Sequence, residues 1–518
     1  MVAWNDATAY RIEKNMTKNI VWGWTGRSHD ASLAVFSEDG LEFASHSERY
    51  SRIKNDKNLH PDLIAEALEF GKPERIYYYE RPGLKKTRQL YSGQYRLLGK
   101  ESPTRYMRRY LSDAPKSTTV SHHLSHAAAG YYTNPGKKDS AVLVLDSIGE
   151  WNTISIWQGT SGKLKRKWSQ NYPHSVGIWY SAMTQRIGLK PQEHEYILMG
   201  MAAIGNASKY YDLIKHDFIK KMPSLKDPRI LFKRNCHRGC LDWRTDLNSI
   251  QDYADIAAAT QLIYEEIFEA YCKITVNKTQ CKNLVLMGGC VLNCVANPIA
   301  TKYFDTVWIM PNPGDAGSAI GCVLAHKKQF MEFSHAYTGH NIQGDYPVDA
   351  VIQELNTSKI TAVAAGRSEF GPRSLGNRSI LADPRGVDVK DRVNKIKHRE
   401  SFRPFAPMIL EEHAKDYFEM PNNITSSPFM QFVVKCRRPD EFPAIIHYDG
   451  TSRVQTVNQT NGFIYTLLQA WYKQTGCPML LNTSLNIKGE PLVNTRADAE
   501  RWTAQYGVKV CLPESEIL

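Results

Sequence analysis

Val120-Ser121-His122-His123-Leu124-Ser125-His126-Ala127 separates a basic, tyrosine-rich segment from an apolar run that ends at Asp146. Wound as a helix, this stretch sets His122 and His126 one turn apart on one face. Two imidazoles so placed can hold one metal ion, with carboxylates from elsewhere completing the site. Ala127, Ala128, Ala129 and Gly130 follow, small enough for another backbone to pack close. Taken alone, the spacing fits equally a capping histidine beside a satisfied core histidine, so the rest of the chain has to decide.

At 518 residues the chain is long enough for two or more domains, each with its own core. Hydrophobic residues make up 42% and charged residues 23%, the balance of an ordinary soluble globular protein. No apolar run approaches the length of a membrane span, so no membrane partner is expected. Residues 1–18 carry no signal-peptide pattern, and Met16 is an alternative start because the first strand pattern begins at Ile20. The ten cysteines lack regular spacing and read as reduced thiols of a cytoplasmic protein. Cys236-His-Arg-Gly-Cys240 has metal-ligand types but no second pair. The net charge of +12 favours a polyanionic partner or substrate.

Ile20–Trp24 and Ala31–Phe36 read as strands around the loop Thr25–Asp30, with a hairpin turn at Glu38-Asp39-Gly40 and a third strand at Leu41–Ser45. Pro61–Phe70 has helical periodicity and Arg75–Tyr79 is a strand. Between Arg81 and Lys116, cations that include Arg105, Arg108 and Arg109 interleave with Tyr91, Tyr95, Tyr106 and Tyr110. Cations for phosphates and flat rings for bases suit a nucleic-acid surface; a solvated helix pair with partly buried tyrosines fits the same residues. Lys163–Lys167 reads as a smaller basic turn. Ala141–Leu145 is a buried-type strand ending at Asp146, with Thr153–Trp157 as its hairpin partner. Val176–Ile187 and Tyr253–Val276 read as helices. Strands at Asn283–Met287 and Val307–Met310 run into Gly288-Gly289 and Pro313-Gly314-Asp315. Strand, glycine turn and helix in succession expose backbone N–H groups to phosphates. A boundary is read at Tyr346-Pro347. Beyond it, clustered Arg and Lys among small polar residues suit several phosphates.

The chain resembles the O-carbamoyltransferases of the nodulation and antibiotic-tailoring type. The resemblance rests on His29-Asp30-Ala-Ser32, Glu48-Arg49-Tyr-Ser-Arg52, His122-His-Leu-Ser-His126-Ala, Asp146…Gly149-Glu150 and Met199-Gly200-Met-Ala-Ala. It continues through Gly288-Gly289…Asn293-Cys294, Pro313-Gly-Asp315, Glu369-Phe-Gly-Pro-Arg373, Arg403-Pro-Phe-Ala-Pro and Asn482-Thr-Ser484, in family order from about Ile20 onward. It implies an N-terminal extension over 1–19 and a metal-dependent carbamoyl-transfer domain over 20–345, with an actin/Hsp70-like, threonylcarbamoyltransferase-like duplicated α/β fold. A carbamoyladenylate-forming, YrdC-like twisted α/β domain would follow over 346–518. The second domain's signature, Lys-x-Arg with a later Ser-x-Asn, is met by Lys397-x-Arg399 and Ser484-x-Asn486.

The chemistry so implied has two steps. Carbamoyl phosphate and ATP, with Mg²⁺, form carbamoyladenylate; an acceptor hydroxyl then attacks the carbamoyl carbon and AMP leaves. Arg373, Arg378, Lys397, Arg399 and Arg453 are the expected clamps for the phosphates, and Ser484 and Asn486 orient the carbamoyl group. His122, His126, Asp146 and Asp315 are the expected ligands of Fe²⁺, with Mn²⁺ or Zn²⁺ as alternatives for two nitrogens and two oxygens. The adenylate is expected over Gly288, Gly289 and Asn293. His29 and Asp30 are the candidates for taking the acceptor's proton. Charge and the Arg/Tyr segment point to a hydroxymethylated pyrimidine, 5-hydroxymethylcytosine in DNA, as acceptor, with Arg105, Arg108 and Arg109 binding it; the alternatives are a small natural product or sugar, and an actin/Hsp70-fold ATPase without carbamoyl transfer.

Overall fold

The computed structural model describes residues 19–95, 99, 101–136, 138–400, 403, 405–421 and 423–514. The N-terminal extension lies outside these residues except for Asn19, and so does the choice between Met1 and Met16. Arg96 and Lys100 of the basic segment lie outside them too.

Two five-stranded sheets of the same design follow one another. The first orders β1 (Val21–Thr25), β2 (Ser32–Phe36), β3 (Leu41–His46), β4 (Arg75–Tyr78) and β5 (Ser117–Thr119) as β3-β2-β1-β4-β5. Strands β1, β2 and β3 pair antiparallel, whereas β4 and β5 add in parallel. The second contains β6 (Ser140–Gly149), β7 (Asn152–Thr160) and β8 (Lys163–Asn171). A ribbon of β9 (Ile219–Lys221) and β10 (Leu231–Phe232) intervenes before β11 (Asn283–Met287) and β12 (Thr306–Ile309). The order β12-β11-β6-β7-β8 repeats the first sheet: an antiparallel meander of three, extended by two parallel strands. This is the duplicated α/β architecture expected of the actin/Hsp70 type. Strands β1 and β2 are buried along their whole length because both sheet faces are covered, which is why they read as near-continuous apolar runs.

The helices His122–Tyr132 and Ser318–Lys327 cross between the two sheets. A Cβ added at Gly321 would fall 1.9 Å from the Ser125 carbonyl oxygen and 2.9 Å from the Ala129 Cβ, so the small residues after His126 do allow a close crossing. Lys163–Lys167, expected as a turn, instead opens β8: Lys163, Lys165, Arg166 and Lys167 are exposed, and the turn is at Ser161-Gly162. Cys236 and Cys240 are buried, and burial pushes their thiols up to about 11 and about 12, the opposite of what thiolate ligation needs. All ten cysteines carry free thiols.

The rest of the chain forms a seven-stranded mixed sheet. It comprises β14 (Ile360–Ala364), β16 (Arg378–Ala382), β17 (Ala406–Leu410), β18 (Phe432–Lys435), β19 (Thr451–Val457), β20 (Met479–Ser484) and β21 (Val510–Cys511) in the order β18-β19-β17-β20-β16-β14-β21. A short ribbon pairs β13 (Tyr337–Ile342) with β15 (Gly366–Glu369), so backbone hydrogen bonds span Tyr346-Pro347. The helix Glu48–Ser51 and its C-cap Arg52 tie the units together: Arg49 donates to the Gly371 carbonyl at 2.9 Å, and Arg52 to the carbonyls of Pro491 and Leu492. Among the described residues no helix is long and apolar enough to cross a membrane.

Candidate metal centre and cation cluster

His122 opens its helix and His126 lies one turn on, both buried. Asp146 comes from the end of β6, and Asp315 from the turn between β12 and the helix Ser318–Lys327. His122 Nε2 lies 3.1 Å from His126 Nε2, 3.2 Å from Asp315 Oδ1 and 3.3 Å from Asp146 Oδ2; His126 Nε2 is 3.3 Å from Asp315 Oδ1. One donor atom from each of the four residues falls within 4.8 Å of every other. Ligands about 2.0–2.2 Å from a common ion are separated by roughly 3.0–3.5 Å, so these donors fit one first-row divalent cation.

Electrostatics agree with a site built around positive charge. Burial opposes ionisation of Asp315 and Asp146, yet His122 and its neighbours hold Asp315 well below the carboxylate range and bring Asp146 down to about 2. His122 is raised well above its ordinary value, Asp315 and Asp146 overcoming burial. His123, on the same turn, faces away: its Nδ1 meets Ser155 Oγ at 2.7 Å and burial lowers it to about 3, so it stays neutral. Gly149 leaves room for the His122 ring; a Cβ there would be 2.2 Å from it.

His29 and Asp30 line the mouth of this centre. His29 Nε2 is 3.6 Å from Asp315 Oδ2, and its Nδ1 is 3.6 Å from Asp30 Oδ2. Burial lowers the His29 pKa, but Asp315 and Asp30 more than offset it and raise it to about 9. Gly288 turns with φ +98°, and a Cβ there would meet the Leu145 carbonyl at 2.1 Å. Gly289 N–H donates to Asp146 Oδ1 at 3.4 Å, linking this loop to the centre. Asn293 is buried, with its amide engaged by Gln261 in both directions and its Oδ1 also accepting from Ala296 N–H.

In the second unit the two signature pairs meet. Lys397 Nζ reaches the Ser484 carbonyl, Ser484 Oγ at 3.1 Å, the Asn486 carbonyl at 2.8 Å and Asn486 Oδ1 at 3.1 Å. Its surroundings are neutral oxygens, and burial, then Arg399 and Arg403, push its pKa well below the usual value. The Arg399 guanidinium lies 4.0 Å over the Phe405 ring and donates to Asn394 at 2.7 Å. Arg373 is lowered to about 9 by burial, with Arg453 and Arg403 adding to the shift. Like charges gathered this closely cost stability unless an anion joins them. Arg378 requires a correction: it is fully buried, and its donors go to the carbonyls of Asn494, Ala365, Asn377, His340 and Gly366. A guanidinium whose five N–H groups are so committed has nothing left for phosphate. Arg403, missing from the expected clamps although its motif was legible, belongs to the cluster and lies 4.8 Å over the Tyr196 ring of the first unit.

The basic segment divides. Tyr106 is buried, stacks on Trp24 at 5.1 Å and accepts from Leu59 N–H; Tyr110 donates to the Leu59 carbonyl. Tyr106 is core and Tyr110 is partly buried against it, whereas Tyr91 and Tyr95 are exposed. Arg109 pairs with Glu101 at 2.8 Å and Arg108 Nε donates to the Ala114 carbonyl at 3.3 Å; Arg105 is exposed.

Residues 87–324 match the model of the carbamoyltransferase N-terminus, and residues 352–517 that of the carbamoyltransferase C-terminus. An uncharacterized protein of Synechocystis sp. is 30% identical, with 93% of each chain covered. Nodulation protein NolO of Bradyrhizobium diazoefficiens is 32% identical, covering 73% of this chain and 75% of its own length. The 3'-hydroxymethylcephem-O-carbamoyltransferase of Amycolatopsis lactamdurans is 27% identical, covering 93% of this chain and 95% of its own. With both family models in order along one chain and a relative matched almost end to end, the chain belongs to the carbamoyltransferase family and is a transferase.

Proposed function

We propose that the protein is an ATP-dependent O-carbamoyltransferase with two centres. The observation that carries this reading is the pairing of the four-donor cluster in the first unit with the Lys397–Ser484–Asn486 cage and its arginines in the second.

In the second unit, water would cleave carbamoyl phosphate to carbamate and phosphate. The carbamate oxygen would then attack the α-phosphorus of ATP, giving carbamoyladenylate and releasing diphosphate. Arg373, Arg399, Arg403 and Arg453 gather the negative charge of both substrates, with Mg²⁺ accompanying ATP. Lys397 holds Ser484 and Asn486 in place, and these orient the small carbamoyl group. Arg403 against Tyr196 turns the cluster toward the first unit, whose Gly288-Gly289 loop is the proposed seat of the adenylate. There the acceptor oxygen would bond to the carbamoyl carbon, the bond to AMP would break, and the acceptor proton would pass to Asp30 or, when its ring is neutral, to His29. His122, His126, Asp146 and Asp315 would hold a divalent ion, which would supply Lewis acidity for the transfer. Two nitrogens and two oxygens suit Fe²⁺, Mn²⁺ or Zn²⁺, and the family resemblance favours Fe²⁺.

For the acceptor, we propose a hydroxyl on a small molecule, in keeping with the hydroxymethylcephem that the Amycolatopsis lactamdurans relative is named for. The second reading, a hydroxymethylated pyrimidine in DNA, draws on the +12 charge and on exposed Arg105, Arg108, Tyr91 and Tyr95; it is weakened by Tyr106 being core, Tyr110 being packed against it and Arg109 being paired. The test is to incubate the protein with carbamoyl phosphate and ATP, assay AMP and diphosphate, and weigh polyol, cephem-alcohol and hydroxymethylated-DNA acceptors for one added carbamoyl group. ADP and phosphate as the only nucleotide products would overturn the reading. A DNA acceptor would show a KM that rises steeply with salt and with charge reversal at Arg105, Arg108 and Arg109, whereas a small acceptor would show neither.

A further inference from the structure

Glu80 follows β4 and is buried beneath the candidate metal centre, 4% exposed. Tyr78 OH donates to its Oε1 at 2.9 Å, and Lys85 Nζ donates to the same oxygen at 2.6 Å. Its Oε2 is turned toward His122 Nδ1, 3.9 Å away. That nitrogen is buried and has no hydrogen-bond partner among the described residues. The other ring nitrogen of His122, Nε2, points into the four-donor cluster. A histidine that coordinates through Nε2 must carry its proton on Nδ1, and a buried N–H without an acceptor is destabilising.

We propose that Glu80 is the positioning residue of the centre: it accepts the Nδ1–H of His122, fixes the tautomer that presents Nε2, and strengthens that nitrogen as a ligand. The inference rests on the metal reading made above. The observed 3.9 Å is an ion-pair distance, longer than a hydrogen bond. The surroundings limit where the ring can go. Gly149 packs against one edge, where even a Cβ would not fit, and the Tyr79 ring lies 5.0 Å from the imidazole. Glu80 is held in turn by two donors from different elements, Tyr78 on β4 and Lys85 on the helix Pro82–Tyr91. Lys85 also contacts Ser28 Oγ, next to His29. One carboxylate thus ties the metal-facing histidine to the strand end, to the helix at the mouth and to the loop that bears the candidate proton acceptors.

The experiment measures affinity for Zn²⁺ and Mn²⁺ by competition with a chromophoric chelator, in the full-length protein stripped of metal. Glu80→Gln is expected to weaken binding by about ten- to a hundredfold. Because that change also strands the Lys85 ammonium, the double variant Glu80→Gln, Lys85→Met is measured beside it. If Glu80 acts on His122, the double variant stays as weak as the single one. Wild-type affinity in the double variant would overturn the inference, since Glu80 would then only neutralise Lys85. His126→Ala separates the inference from its foundation. Lost affinity there, with wild-type affinity in both Glu80 variants, sinks the positioning role and spares the metal centre. Undiminished affinity in His126→Ala sinks the metal centre and the inference with it.

Discussion

His126 and Asp315 are separated by 189 residues in the chain, yet His126 Nε2 lies 3.3 Å from Asp315 Oδ1. Their meeting depends on Gly321, which lets the helix after Asp315 lie against the backbone of Ser125.

Replacing His126 by Ala removes one of two nitrogen donors. The expected outcome is loss of bound divalent metal and of carbamoyl transfer, with carbamoyl phosphate-dependent AMP formation retained. Metal analysis of the purified protein and a nucleotide assay on the same preparation check it; loss of AMP formation in a folded variant would contradict the division of labour.

Arg399→Ala and Lys397→Met act on the other centre. Each is expected to lower carbamoyl phosphate-dependent AMP production by a hundredfold or more, on the order of the effect of removing one preorganised charge-stabilising group. Transfer from separately supplied carbamoyladenylate should persist. Both rates are measured by chromatography of the nucleotides and the acceptor.

Gly321→Val tests the helix crossing. The first added carbon would already lie 1.9 Å from the Ser125 carbonyl, so the helices must part. A loss of about 1–3 kcal/mol in urea unfolding is expected, with metal affinity falling alongside because Ser125 adjoins His126. Unchanged stability and affinity would mean that the crossing does not set the site.

Glu48 yields a pH dependence. Burial raises its pKa, but Lys54 at 3.1 Å and the Arg49 guanidinium overcome burial and hold it at about 2, against 4.5 for a free glutamate. A carboxylate with a depressed folded-state pKa stabilises the fold above its unfolded value and stops doing so as pH falls toward the folded one. The stability difference between wild type and Glu48→Gln should therefore be full at pH 6–7 and shrink between about pH 5 and pH 2. Thermal melts across that range check it; a difference that grows on acidification would contradict the assignment.

Much of this protein is legible in its residues. The short apolar runs of β1, β6 and β11, rich in branched and aromatic side chains and bounded by turn residues, are strands buried on both faces, and once the stretch after Ser121 is helical, His122 and His126 share a face. The ordered motifs carry the family and its two-unit plan. Composition does not tell which side of an element a side chain takes once its neighbours are placed. Tyr106 and Tyr91 look alike in an Arg/Tyr segment, yet one packs on Trp24 and the other meets solvent. Arg378 looks like a phosphate clamp until five carbonyls converge on it from Ala365, Gly366, Asn377, His340 and Asn494. Glu80 carries no motif at all; only the packing of β4 beneath His122 gives it a role. Local periodicity and family order thus determined the elements and the chemistry on offer. The partners of each charge were decided by the tertiary structure, because hydrogen bonds and ion pairs between distant segments depend on distances that the linear order does not contain.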